Sequence, residues 1–193
     1  MIKIYRYGEV SNSELFARTE MPTNVDGIVR EIIANVRAGG DSALYEYNKK
    51  FDGTEAPLEV SAEEISAARS KVDPELIKVM EEAAANIRDF HSRQKRESLV
   101  ISEKPGIMLG QKVLPLERVG LYIPGGTAAY PSSVLMNCVP ARIAGVSEIC
   151  ITTPATGGEL NPVILAAASI GGADRIFRVG GAQAVAALAY GTE

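Results

Sequence analysis

In the front half of the chain, apolar positions recur at spacings of three and four. In the rear half they gather into short unbroken runs closed by glycine pairs. Val25, Ile28, Val29, Ile32, Ile33 and Val36 mark one helical face, which Thr23 can cap and Gly39-Gly40 stops. Asp41 can cap a short second helix through Leu44 and Tyr47. Ser61 with Glu64 three residues on is a capping box for a helix ending near Lys71. Asp73-Pro74 then opens a long helix, with Asp as cap and Pro at the first helical position. Its apolar stripe runs through Leu76, Val79, Met80, Ala83, Ile87 and Phe90 to about Gln94. Leu99–Ile101 and Ile107–Leu109, flanking Lys104-Pro105-Gly106, predict a β-hairpin.

From Val119 the period changes. Val119–Ile123 reads as a strand ending in Pro124-Gly125-Gly126, followed by a helix over about Pro131–Ala144 that Pro140 should kink. A second strand, Ile149–Thr153, leads to a helix capped by Asn161-Pro162 and stopped at Gly171-Gly172. A third, Arg175–Val179, passes through Gly180-Gly181 into a helix that reaches about Tyr190. Strand and helix alternating with short connections predict parallel βαβ units. The fold class expected is α/β: a helical N-terminal segment, then a three-strand parallel βαβαβα portion.

Charge divides the chain at the same place. Of the 44 charged residues only seven follow residue 120, whereas ten of the 18 glycines do. A boundary is therefore placed at Gly120, separating 1–120 from 121–193. The net charge of −4 argues against nucleic acid or an anionic membrane as the main partner. No run of about 18 apolar residues offers a membrane span, and no signal-peptide core follows Met1. Two cysteines, Cys138 and Cys150, without Cys-x-x-Cys spacing, point to a reducing, cytoplasmic setting.

In a parallel sheet, ligands bind beyond the carboxyl ends of the strands. Two segments lie there: Tyr122-Ile123-Pro124-Gly125-Gly126 and Val179-Gly180-Gly181-Ala182-Gln183. Paired glycines let backbone N–H groups approach a ligand, and a helix N-terminus favours negative charge. Gln183 offers a donor and an acceptor, Tyr122 a ring and a hydroxyl. The glycines also serve simple tight turns, since neither segment is a G-x-G-x-x-G or a P-loop. Other chemistry is sparse. His91 is the one histidine and reads as a packed or surface helix residue, so the chain cannot assemble a two-histidine metal site. Cys138, mid-helix, reads as a small buried hydrophobe. Ser132 and Ser133 read as capping residues.

Residues 119–145, from Val119-Gly-Leu-Tyr-Ile-Pro-Gly-Gly to Arg142-Ile-Ala-Gly145, closely resemble histidinol dehydrogenase, and Val179–Glu193 matches a second signature of that family. The Asp41-x-Ala43-Leu44 segment, Phe51-Asp52 and Phe90-His91 fit as well. The resemblance implies NAD-dependent oxidation of L-histidinol through L-histidinal to L-histidine, the last step of histidine biosynthesis, by zinc-dependent, intertwined homodimers. It implies that Tyr122 and Gln183 contact NAD. The family's zinc ligands (a Gln, two His and an Asp) and its catalytic Glu-His pair belong to parts of its longer chain that have no counterpart here. Catalytic and metal residues are therefore expected to be none, and the chain is expected to be an N-terminal part that turns over no histidinol alone. The resemblance also implies two incomplete Rossmann-like units. Residues 1–120 would give an N-terminal arm and the start of the first, and 121–193 part of the second, with an open sheet edge prone to self-association. Two other readings are a non-catalytic nucleotide-binding or assembly module, and an aldehyde dehydrogenase relative using Cys138.

Overall fold

The computed structural model describes residues 4–15, 25–125 and 128–192; the expected cap Thr23 and the turn residue Gly126 lie outside them. Proline and cap chemistry set most helix starts. Ser61 Oγ accepts the Glu64 N–H at 3.2 Å while Glu64 Oε2 accepts the Ser61 N–H at 3.0 Å, opening α3 (Ala62–Ser70). Asp73 Oδ1 accepts the Glu75 N–H at 2.9 Å, opening α4 (Pro74–Ser92). Before them come a single turn, α1 (Asn12–Leu15), and the long α2 (Val25–Tyr47). Gly40, at φ 55° and ψ −135°, breaks α2 where the paired glycines predicted a stop, so the chain turns without leaving the helix for long. No cap bond from the Asp41 side chain accompanies the break among the described residues.

Two expectations need correction. The second hairpin strand is displaced: β1 (Leu99–Ile101) pairs antiparallel with β2 (Leu109–Gln111), not with 107–109. The cause is a turn in which the Ile107 N–H donates to the Lys104 carbonyl with Gly106 at φ 76°, drawing Ile107 into the connection. The buried face of α4 is also rotated by one residue. Ile77, Met80 and Ala84 are buried, with Ala83 and Ile87 packed beside them, whereas Leu76, Val79 and Phe90 are exposed. The sequence holds two overlapping ladders of apolar spacing, and packing against neighbouring helices selects the one through Ile77.

The second half is a parallel sheet in the order β3 (Arg118–Tyr122), β4 (Glu148–Thr153), β5 (Arg175–Arg178), with Tyr122 level with Thr152 and Thr152 level with Phe177. Parallel neighbours need crossover connections, which α5 (Pro131–Ala144) and α6 (Pro162–Gly171) supply, and α7 (Gly181–Tyr190) follows β5. α5 runs unbroken through Pro140, whose missing N–H leaves the Met136 carbonyl without its intrahelical donor.

Alternation along the strands sends successive side chains to opposite faces. Ile149, Ile151 and Ile176 join Val134, Leu135, Cys138 and Val139 of α5 in one core, which also takes in Ile77, Met80 and Ala84 of α4. Thus the charged front half and the apolar rear half share one interior. The opposite face carries a smaller core of Ile32, Val36 and Leu44 from α2 with Val179, Ala184 and Ala186. Each fully buried Ile, Leu or Val contributes about 1.5–3 kcal/mol by leaving water.

The outer edge of β5 is covered by the extended segment 58–60. The Val60 N–H donates to the Ile176 carbonyl at 2.9 Å and the Arg178 N–H to the Leu58 carbonyl at 2.7 Å. No helix among the described residues is long and apolar enough to cross a membrane.

Candidate functional site

Three loops leave the carboxyl end of the sheet, and they converge on Pro154. A Cβ on Gly125, after β3, would lie 2.7 Å from the Pro154 ring. A Cβ on Gly180, after β5, would lie 2.6 Å from Pro154 Cβ. Only glycine on either side permits that approach, which accounts for two glycines the sequence left open between tight turns and a ligand cradle. The loops after β3 and β4 line an open cavity of about 230 Å³ between Pro124, Gly125, Ala129, Thr153, Pro154 and Asn161.

The same convergence brings together the two residues singled out in the sequence. Tyr122 ends β3, and its hydroxyl accepts the backbone N–H of Gly181 at 3.4 Å. Gly181 has φ +63°, and a Cβ there would meet Gln183 Oε1 at 2.6 Å. Gln183 is thereby tucked beneath the turn, only 2% exposed, while Tyr122 keeps 40% of its surface in solvent. Gly180, the N-cap of α7, has no side chain to cap it, so beyond the Gly181 N–H taken by Tyr122 the first-turn amides of Ala182 and Gln183 have no capping side chain. Uncapped amides at a helix start, a phenol and a primary amide suit a ligand carrying both anionic oxygens and hydroxyl or amide groups.

Residues beneath this end went unnoticed in the sequence. Arg178, the last residue of β5, is 5% exposed. Its guanidinium donates to the carbonyls of Pro57 at 3.0 Å and Glu59 at 3.1 Å and pairs with Glu64. An arginine between Phe177 and Val179, in a run otherwise apolar, was the available signal.

The remaining candidates lie away from the loops. His91 Nδ1 is 2.7 Å from Gln94 Oε1 and lines a groove with Gly145 and Val146, which lead into β4 at the opposite end of the sheet. Cys138 is wholly buried, with its thiol pushed up to about 11 by burial, and behaves as a core residue. The Cys150 thiol is likewise held up by burial and by Glu148, whose Oε1 lies 3.6 Å from Sγ. Ser133 sits in the first turn of α5, where its carbonyl accepts from Asn137 Nδ2 at 2.7 Å. Among the described residues no three His, Cys, Asp or Glu side chains gather as a metal site would require.

A sequence model of histidinol dehydrogenases matches residues 17–193. The histidinol dehydrogenase of Syntrophotalea carbinolica is 54% identical over 183 residues, covering 93% of this chain and 42% of its own. That of Geobacillus kaustophilus is 56% identical over 167 residues, covering 86% of this chain and 39% of its own. The crystal structure of histidinol dehydrogenase from Elizabethkingia anophelis superposes with a TM-score of 0.86 at 37% identity, over 91% of this chain and 41% of that one. The chain therefore spans about two fifths of the length of these relatives. With a family match over nearly all its residues and the same α/β framework, the chain belongs to the histidinol dehydrogenase family, of which it represents an N-terminal part.

Proposed function

We propose that residues 119–192 hold the nicotinamide dinucleotide for a histidinol dehydrogenase acting on L-histidinol by way of L-histidinal. The observation that carries this reading is the meeting of Tyr122, Gly181 and Gln183 over the carboxyl end of a parallel sheet. Family membership makes the class of chemistry that of an oxidoreductase, and such an enzyme needs a hydride acceptor.

The residues present fit a dinucleotide. The glycines at 125 and 180 let the exit loops close on Pro154, and the first-turn amides of α7 that no side chain caps favour a diphosphate. Gln183 sets its amide directly beneath the Gly181 turn, and Tyr122 covers one side with its ring. When bound, NAD takes up hydride from the substrate carbon. The chain's own part is to orient the dinucleotide, to shield its diphosphate from water and to fix the amide beside it.

Zinc, which the resemblance implies, does not fit these residues. The single imidazole is on α4, at the far end of the sheet, and among the described residues it belongs to no cluster of metal-ligating side chains. Residues 1–193 alone are expected to turn over no histidinol. Under this reading the complete enzyme is a cytosolic homodimer, and the division at residue 120 separates bracing helices from the dinucleotide-holding portion.

Calorimetric titration with NAD tests the reading. Gln183→Ala removes one or two hydrogen bonds and should weaken binding by about 1–3 kcal/mol. Equal affinity in the variant removes Gln183 from the site.

A further inference from the structure

Between α2 and the strap that covers β5, the chain winds through a π-turn, Asn48–Asp52. Gly53, at φ 68°, closes it by donating its N–H to the Asn48 carbonyl. Wide turns of this kind are rare and cluster at functional sites. Two of its side chains reach different exit loops. Asn48 is 1% exposed, and its Nδ2 donates to the Arg178 carbonyl at 2.5 Å, two residues before Gly180. The Asp52 carboxyl is pushed up by burial and drawn back by the nearby backbone N–H of Ala155, next to Pro154. Just beyond, Thr54 packs on Gly158, where a Cβ would stand 2.6 Å from its Oγ1 and φ is +89°.

The polar character of this turn is informative. Asn48 Oδ1 and Asp52 Oδ2 are both buried without a hydrogen-bond partner, a costly arrangement that apolar side chains of similar size would avoid. What Asn48 supplies, and Leu cannot, is a directional contact with the backbone at Arg178, while Asp52 sets a carboxylate near the Ala155 N–H. Arg178 leads into the Gly180 loop, and Ala155 follows the Pro154 on which that loop closes.

Building on the dinucleotide reading above, we propose that the π-turn is a clamp and that Asn48 and Asp52 are positioning residues for the nucleotide. Asn48 fixes where β5 gives way to Gly180-Gly181 and so where the amides of α7 and Gln183 stand. Asp52 fixes the neighbouring loop against which Gly125 and Gly180 pack.

The test compares Asn48→Asp in the full chain, which keeps the shape but loses the donor, with Val36→Ala. Val36 lies in the same α2–α7 core and has no polar group, so its loss softens the interface through packing alone. Both are studied at denaturant concentrations giving equal residual stability. Amide exchange at residues 180–183 should quicken at least tenfold in Asn48→Asp and stay within twofold in Val36→Ala, with NAD affinity falling at least fivefold only in the former. Should Asn48→Asp not fold, Asp52→Ala should quicken exchange at residues 155–158 by at least tenfold. Unchanged exchange, or the same change in Val36→Ala, overturns the clamp. A wild-type chain that ignores NAD overturns the dinucleotide reading instead, leaving the exchange result to judge the clamp.

Discussion

Replacing Arg178 with Met should destabilise the chain far more than replacing its ionic partner, Glu64, with Gln. The guanidinium is almost wholly buried, with 6% of the side chain exposed, and ties the 57–60 strap to β5 through two carbonyls. Methionine refills the space along the stem but donates nothing, leaving the carbonyls of Pro57 and Glu59 without their donor. A hydrogen bond from a charged group is worth about 1.5–3 kcal/mol, and relief of the buried charge returns part of two such bonds, giving a loss of about 2–4 kcal/mol. Glu64, by contrast, is 50% exposed, so its charge is screened. Glutamine keeps an acceptor for Arg178 and serves the capping box as well as glutamate, which limits the cost to about 1 kcal/mol. Urea unfolding followed by circular dichroism at 222 nm gives both values, with the denaturant slope unchanged. If Glu64→Gln costs as much as Arg178→Met, charge pairing rather than the carbonyl clasp holds the strap, and the reasoning fails.

Gly180→Ala should cost about 1–3 kcal/mol, because its methyl must displace the rigid Pro154 ring, and should weaken NAD as well; a fully stable variant with normal affinity contradicts the packing described. The Cys138 thiol, pushed up to about 11 in the fold, makes stability pH-dependent on the alkaline side. Unfolded cysteine loses its proton first, near pH 9, so stability is fully present below that point and declines until about pH 11, by on the order of 2–3 kcal/mol. Urea midpoints across that range should fall, and Cys138→Ala should flatten the fall, with Cys150 supplying the remainder. Neither thiol should react with a disulfide reagent at pH 8 while the chain is folded.

Much of the framework was legible wherever one local rule governs. Ser61 with Glu64, Asp73 with Pro74 and Asn161 with Pro162 each form the expected cap, because capping depends on residues three or fewer apart. The central strand β4 stands out as a nearly continuous apolar run, being covered on both faces, whereas β3 alternates between exposed and half-buried positions. Where two patterns compete, tertiary packing decides: α4 holds apolar ladders through both Leu76 and Ile77, and its neighbours bury the second. The hairpin register likewise depends on a turn that spends Ile107.

The candidate site was half visible. Tyr122 and Gln183 could be placed at strand ends from the sequence, but their meeting at Gly181 joins positions 59 apart. Asn48 and Arg178 are 130 residues apart and connect through a backbone carbonyl, an interaction that leaves no signature in residue type. Lys49 and Lys50, beside Asn48, further disguise a buried turn as a solvated one.

Nuclear magnetic resonance of the ¹⁵N-labelled chain, titrated with NAD, bears most directly on the central claim. Shifts should concentrate at residues 122–125, 153–156 and 180–183, with little change at Arg118, Glu148 and Arg175 at the opposite strand ends. Shifts centred on those latter residues, or none anywhere at millimolar NAD, would contradict the placement of the dinucleotide over Pro154.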